Sequence, residues 1–160
     1  MEIVKYSQKY EEDVKNLLVE LQEYIVSIDD WHLNIITPEY REMYFKKTLE
    51  ECSKNNGVIF LAIENNKAIG MISGHIVERD EYDKCDYTCP KTGHIEELIV
   101  SKNARYGGLG SKLLETMEQY FKSLNCEYCH VDVFEPNLIG KNFYKKYNYV
   151  TRMRSLSKKI

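Results

Sequence analysis

The sequence predicts a mixed α/β (α+β) fold in a single domain that spans residues 1–160. Apolar residues recur at three- and four-residue spacings near the N-terminus and again after residue 108, which indicates amphipathic helices. Short β-rich runs bounded by turn residues lie between and after them. The length of 160 residues is close to the common size of one domain. The predicted element order is β-α-α-β-β-β-α-β-α-β.

The N-terminal part is predicted to hold one short strand and two helices. The run EIVKYS favours a strand, and the segment from Tyr10 to about Ser27 has helical spacing. Its apolar residues are Val14, Leu17, Leu18, Leu21, Tyr24 and Ile25. The second helix is predicted in TPEYREMYFKKTLEEC, with Thr37 as N-cap and Pro38 in the first position. Its expected apolar face consists of Tyr40, Met43, Tyr44 and Leu49.

The remaining elements follow from changes in periodicity. VIFLAIE and AIGMISGHIV are predicted strands joined by a hairpin turn at Asn65-Asn66, and HIEELIV is the next strand, after an acidic loop. Helical spacing then runs from Leu109 to Leu124. YCHVDVF predicts a strand, NLIGKNFYKKY a short helix, and YVTRMRSLSK a final strand.

Charge and hydropathy exclude several classes of protein. The net charge is −3 and no Lys/Arg block occurs, so we expect no nucleic-acid partner. No apolar run has the length of a membrane span and the N-terminus resembles no signal peptide, so we expect no membrane association and a cytoplasmic location.

Five cysteines without an export signal favour reduced thiols. CDYTC and CEYC could together supply four zinc ligands. However, Cys126 and Cys129 would point to opposite faces of a predicted strand. We therefore expect free thiols and no metal.

The stretch ARYGGLGSKLL places three glycines at the start of a predicted helix. Bare backbone N–H groups and the helix dipole can form an anion site there, suited to a diphosphate, although a plain strand-to-helix turn is the alternative. A P-loop is excluded because the order is Gly110-Ser111-Lys112. A dinucleotide fingerprint is excluded because Leu113 stands where glycine is needed.

The chain from Arg105 to Gly110 matches the pattern Arg/Gln-x-x-Gly-x-Gly/Ala, directly after HIEELIV, and Asn137 precedes Tyr144 by seven residues downstream. With these motifs the sequence resembles the GNAT superfamily of acetyl-CoA-dependent N-acetyltransferases. Tyr106 and Asn148 depart from it, because family members commonly have glycine at both positions. The resemblance implies a GNAT-like fold with a central, mostly antiparallel sheet flanked by helices.

The resemblance also implies a cofactor site for acetyl-CoA. The backbone of Leu98, Ile99 and Val100 would bind the pantetheine arm like an added strand. Asn137 would touch the same arm, or cap the following helix, or both. The amides expected to bind the diphosphate are those of Arg105, Tyr106, Gly107, Gly108, Leu109, Gly110 and Ser111.

Three residues are candidates for catalysis. Glu96 and Glu97 lie on the strand that leads to the cofactor site and, by alternation, are expected on opposite faces of the sheet. Glu96 is favoured slightly as the base because it matches the base of some family members; surface carboxylates are the alternative. Tyr144 matches the family tyrosine that donates a proton to the CoA sulfur. No cysteine lies where a nucleophile is expected, which favours direct transfer in a ternary complex.

The acceptor is less defined by the sequence. In the family it binds near the first two helices and the loop before the fourth strand, which implies Trp31, His32 and Glu81 as acceptor residues. The acidic loop favours a cationic amine, either a small molecule or a peptide, although a solvated charged loop is the alternative. Related folds often dimerise through the last strands, which favours a homodimer. A catalytically silent acyl-CoA-binding module on the same fold is the second functional hypothesis.

Overall fold

The structure is a computed structural model that describes residues 1–105 and 107–160. It contains a five-stranded sheet in the order β1-β2-β3-β4-β5, antiparallel throughout except for the parallel pair β4 and β5. The strands are β1 (Glu2–Lys5), β2 (Val58–Glu64), β3 (Lys67–Ile76), β4 (Thr92–Val100) and β5 (Tyr128–Val131). The helices are α1 (Glu11–Ser27), α2 (Tyr40–Cys52), α3 (Asp83–Asp86), α4 (Leu109–Ser123) and α5 (Leu138–Lys146). The predicted fold class is confirmed.

Each face of the sheet buries its own apolar core. Side chains of α1 and α2, such as Leu18 and Phe45, pack with Leu61 and Met71 on one face. Side chains of α4, such as Leu113 and Phe121, pack with Ile72 and other residues on the opposite face, which α5 joins through Tyr144. Helices with one apolar stripe need such a sheet surface to cover it, and this requirement produces the layered arrangement.

The β2–β3 hairpin forms where the sequence predicted it. Asn65 and Asn66 have positive φ values of 49° and 60°. Asparagine adopts this left-handed conformation more readily than most residues, and tight hairpin turns require it at both central positions. Glu64 then pairs with Lys67 directly across the turn.

The predicted final strand is wrong. No strand occurs between residues 149 and 160, and the side chain of Val150 is 86% exposed. Met153 and Leu156 are also exposed, and with Val150 they recur at three-residue spacing. A strand with one buried face needs apolar residues at alternate positions, so this segment has no face to bury against the sheet.

Two further details of the helices differ from the prediction. The helix α2 begins at Tyr40, because Thr37 and Pro38 form a turn in which the Tyr40 N–H donates to the Thr37 carbonyl. The side chain of Met43 is 69% exposed and so lies outside the core. None of the helices in residues 1–105 and 107–160 is long and apolar enough to cross a membrane.

Candidate active site

A cleft opens where β4 and β5 separate. The parallel pairing joins Thr92–Ile95 to Tyr128–Val131, and β4 then continues to Val100 with β3 on one side and no strand on the β5 side. The cleft between them has a volume of ≈ 720 Å³. Its walls include β4 from Glu96 to Val100, the chain after β5 from Val131 to Phe134, and residues of α1, α2, α4 and α5. The unpaired edge of β4, which carries Leu98, Ile99 and Val100, therefore faces a space large enough for a ligand.

The start of α4 forms one end of this cleft. Gly108 is the N-cap with a φ of 74°, and the first helical bond runs from the Lys112 N–H to the Gly108 carbonyl. The N–H groups of Leu109, Gly110 and Ser111 precede that bond and have no partner within the helix. The cleft reaches Gly108 and all three of these residues. An anion at this point meets free donors and the positive end of the helix dipole.

The glycines at this helix start leave its surface open. A Cβ added to Gly107 or Gly108 would meet no atom within 4 Å. Gly107 itself does not line the cleft, whereas Gly108 and Gly110 do. Tyr106, the remaining predicted residue of this loop, lies outside the described residues.

Arg105 fixes the loop to the sheet through its side chain. Its Nε donates a hydrogen bond to the Val100 carbonyl over 3.1 Å, and its guanidinium lies 3.7 Å from the Glu20 carboxylate. The Ser111 hydroxyl accepts a hydrogen bond from Tyr147 of the chain just after α5. Both contacts hold the helix start against the cleft, and Arg105 and Ser111 both line it.

A bulge in β4 brings Glu96 and Glu97 to the same cleft. Gly74 of β3 pairs with Ile95 and Ser73 pairs with Glu97, so Glu96 is an extra residue between two pairs. Accordingly, Ile95 packs in the core beneath α4 whereas Ile99 packs in the core beneath α1 and α2. Regular alternation would have placed these two isoleucines on one face. The expectation that the two carboxylates face opposite sides is therefore wrong, because the bulge shifts the alternation by one residue.

Glu97 occupies the more enclosed position of the two. Its carboxylate accepts a hydrogen bond from the Tyr44 hydroxyl, and the Tyr44 ring stacks on Tyr40 with centroids 4.9 Å apart. Burial raises the pKa of Glu97 to about 7, and the charge of Glu96 adds to this, while the hydrogen bond from Tyr44 opposes it. A carboxylate with such a pKa can accept and release a proton near neutral pH.

Glu96 is less enclosed than Glu97, with a side chain that is 25% exposed. Its Oε1 is 3.4 Å from His75 Nδ1 and 3.8 Å from His94 Nδ1. Burial lowers the pKa of His94. Histidine side chains rather than tyrosine hydroxyls therefore surround Glu96.

Tyr144 and Asn137 come from α5 and the residue before it, and both line the cleft. Tyr144 is buried between Phe143 and Tyr149, with ring centroids 5.2 and 5.3 Å away, and burial raises the pKa of its hydroxyl. Its hydroxyl donates no hydrogen bond within the described part of the chain. The Asn137 Oδ1 caps α5 by accepting from the Gly140 N–H over 2.8 Å, and it accepts a further hydrogen bond from Tyr24 over 3.2 Å.

The three predicted acceptor residues, Trp31, His32 and Glu81, lie outside the cleft. The Asp29 carboxylate accepts hydrogen bonds from the backbone N–H groups of Trp31, Leu33 and Asn34 and fixes this loop. In that loop Trp31 is 52% exposed and only Asn34 reaches the cleft. Glu81 is an exposed residue of the acidic loop before β4.

Three tyrosines of α1 and α2 line the cleft instead: Tyr24, Tyr40 and Tyr44. From the sequence, all three were expected on apolar helix faces. Tyr40 and Tyr44 are four residues apart on one face of α2, and both line the cleft. The Tyr44 ring also packs against the core, while its hydroxyl donates to Glu97. The signal in the sequence was tyrosine, rather than leucine, at three positions of the expected apolar faces, because a tyrosine hydroxyl needs a polar partner.

The five cysteines are free, as predicted. Within residues 1–105 and 107–160, none of them belongs to a group of three side chains that could hold a metal ion.

Comparison with known proteins agrees with this geometry. The family model described as "Acetyltransferase (GNAT) family" matches residues 25–149. An uncharacterised N-acetyltransferase of Methanocaldococcus jannaschii is 38% identical over 61 residues, which cover 38% of this chain and 39% of that protein. Thus the match spans well under half of that relative.

Solved structures share the fold over the whole chain. An aminoglycoside 6'-N-acetyltransferase of Acinetobacter haemolyticus has a TM-score of 0.72 at 17% identity, covering 100% of this chain and 99% of the other. An aminoglycoside N-acetyltransferase solved in complex with CoA has a TM-score of 0.69 at 15% identity, covering 99% and 98%. The family match covers most of the chain, and the protein therefore belongs to the GNAT family of acetyltransferases.

Proposed function

We propose that this protein transfers the acetyl group of acetyl-CoA to a primary amine by direct attack in a ternary complex. The observation that carries the proposal is the separation of β4 from β5 beside the open N-terminus of α4, with Glu97 in the same cleft. One cleft thus offers a diphosphate site, an extended edge and a titrating carboxylate.

Acetyl-CoA fits the backbone side of this cleft. Its diphosphate would accept hydrogen bonds from the N–H groups of Leu109, Gly110 and Ser111. Its pantetheine arm would run along the unpaired edge of β4 and pair with the backbone of Leu98 to Val100. The structurally similar aminoglycoside N-acetyltransferase solved in complex with CoA supports this choice of ligand.

Glu97 is the proposed base and Tyr144 the proposed acid. Glu97 takes a proton from the acceptor ammonium, and the freed amine attacks the thioester carbonyl carbon. The C–N bond forms, the C–S bond breaks, and the departing thiolate takes the Tyr144 hydroxyl proton. The nitrogen gives up its second proton as the amide forms, which restores the Tyr144 phenol through solvent, and Glu97 releases its proton to solvent, so that one proton is freed for each acetyl group transferred. Burial of Glu97 supports its role over that of Glu96, which the sequence favoured. Tyr144 lines the cleft and its hydroxyl donates no hydrogen bond within the described residues, which supports its role as the proton donor.

The acceptor side of the cleft favours a cationic amine. Glu96, Glu97 and Asp132 contribute carboxylates, and Tyr40 and Tyr44 contribute aromatic faces. Carboxylates attract an ammonium group, and tyrosine rings bind it through cation–π contacts. Small polyamines, aminoglycosides and peptide amines all satisfy this requirement.

The test is an acceptor panel that contains a polyamine, an aminoglycoside, a peptide with a free N-terminus and a lysine-containing peptide. Product CoA is separated by chromatography, because the five free cysteines would react with a thiol reagent. We expect amine-dependent CoA release with at least one acceptor. Thermal stabilisation by acetyl-CoA without CoA release from any amine would instead identify a silent acyl-CoA-binding module.

A further inference from the structure

Three of the four histidines of this chain form a row across the sheet. His75 on β3 is paired with His94 on β4, and His94 is paired with His130 on β5. The ring centroids of neighbouring histidines are 5.5 and 5.1 Å apart. The strand register therefore brings together imidazoles that are distant in the sequence.

Two carboxylates lie beside this row. The Asp132 oxygens are 3.2 Å from His130 Nε2 and 3.6 Å from His94 Nε2. Glu96 lies on the other side of the His94 ring, 3.8 Å from its Nδ1. In the described part of the chain, no lysine or arginine nitrogen lies within 4.0 Å of either carboxylate. The cluster thus combines imidazole nitrogens with two carboxylates, and in the described residues no lysine or arginine pairs with those carboxylates.

We propose that His94, His130 and Asp132 form a binding site for a divalent transition-metal ion of the Zn²⁺ type. Two imidazole nitrogens and a carboxylate are ligands that this class of ion prefers. The three ligand atoms lie within 4.8 Å of one another. Metal–ligand bonds of about 2.0–2.1 Å need ligand atoms roughly 3.4 Å apart, so small side-chain rotations suffice.

The surroundings of the three ligands suit such an ion. His130 and Asp132 have side chains that are 45% and 81% exposed, so an ion can reach them and both can adjust. Glu96 Oε1 lies 3.8 Å from His94 Nδ1, on the side of the ring away from the ion, so a small rotation of its carboxylate would let it accept the Nδ1–H and hold Nε2 toward the ion. Water completes the coordination on the open side of the sheet. This site departs from our sequence-based expectation of no metal, since the histidines converge only through the strand register.

The test is a titration of the purified full chain with CoCl₂, followed by visible absorption. We expect saturable binding of a single Co²⁺ per chain, with d–d bands, no thiolate-to-metal charge-transfer band, and displacement by Zn²⁺. His130→Gln and Asp132→Asn should each weaken binding by at least about tenfold. His32→Gln, which changes the histidine outside the cluster, should leave the affinity unchanged.

Three results would overturn the proposal. The first is no saturable binding to wild-type protein. The second is an affinity equal to that of the wild type in both His130→Gln and Asp132→Asn. If His75→Gln alone then lost the ion, the metal would belong to the group of His75, His94 and Glu96 instead. The third is a thiolate band, which would assign the ion to cysteine. Circular dichroism of the two variants checks their folding, and none of these readouts depends on acetyl transfer.

Discussion

The two sides of the cleft are built from different parts of the polypeptide. The proposed cofactor side consists largely of backbone groups, at the start of α4 and along the free edge of β4. The proposed acceptor side consists of side chains from α1, α2 and the bulged part of β4, and it includes Tyr44 and Glu97. Backbone donors suit a ligand shared by a whole family, whereas side chains set the chemistry and the choice of acceptor.

The largest expected effect is on the acceptor side. Glu97→Gln keeps the shape of the side chain but removes the proposed base, so we expect kcat to fall by about 10²–10⁴-fold. Binding of acetyl-CoA, measured by calorimetry, should not change. Glu96→Gln is the matched control and should lose much less activity; the reverse order of the two variants would assign the base to Glu96.

The pH profile sharpens the same assignment. Because burial raises the pKa of Glu97 to about 7, kcat/KM should rise with pH and level off above about 7, where the carboxylate is ionised. The groups that act on this carboxyl are Tyr44, Glu96, Lys47 and Glu51. Stability should change in the opposite direction: the raised pKa favours the folded state at low pH, and this contribution is lost as pH rises through about 7. In Glu97→Gln both dependences should disappear.

The proposed cofactor side is tested by substituting two glycines at the start of α4. Gly108 has a φ of 74°, so Gly108→Ala should lower the free energy of unfolding by about 1–2 kcal/mol. Its methyl group would also stand in the space assigned to the diphosphate and should weaken acetyl-CoA binding. Gly110→Ala also adds a methyl group at this helix start, but inside α4, where the new Cβ would make an ordinary contact with Phe143 at 3.5 Å, so chemical denaturation should find its stability close to wild type. Equal losses in both variants would contradict this explanation.

A smaller effect is expected from Tyr44→Phe. The hydrogen bond from Tyr44 lowers the pKa of Glu97, so its removal should move the rising limb of the pH profile to higher pH. Activity at high pH should be largely retained. A limb that stays in place would mean that the Tyr44 hydroxyl does not act on the titrating group.

The same contrast explains what the sequence could predict. The proposed cofactor side could be predicted because it depends on a few consecutive residues. Gly108 supplies the positive φ, and the first N–H groups of α4 have no partner within the helix. Among the described residues predicted there, Gly107 alone does not line the cleft. The hairpin at Asn65-Asn66 was predictable for the same reason.

Tertiary contacts determine the features that the prediction missed. The bulge at Glu96 depends on how β4 pairs with β3, and strict alternation along β4 cannot reveal it. The position of Trp31 depends on Asp29, whose carboxylate binds three backbone N–H groups in the next turn of chain. The prediction of a final strand in residues 149–158 was wrong because strand propensity alone does not give a segment an apolar face to bury against the sheet.

The most direct measurement is the set of backbone amide NMR shifts of ¹⁵N-labelled protein titrated with CoA. If the diphosphate binds at the start of α4, the amide signals of Leu109, Gly110 and Ser111 should shift strongly and saturably. Those of Asn65 and Asn66, in the hairpin turn of another part of the sheet, should not move. Saturable binding of CoA that leaves the three α4 amides unshifted would contradict the proposed site.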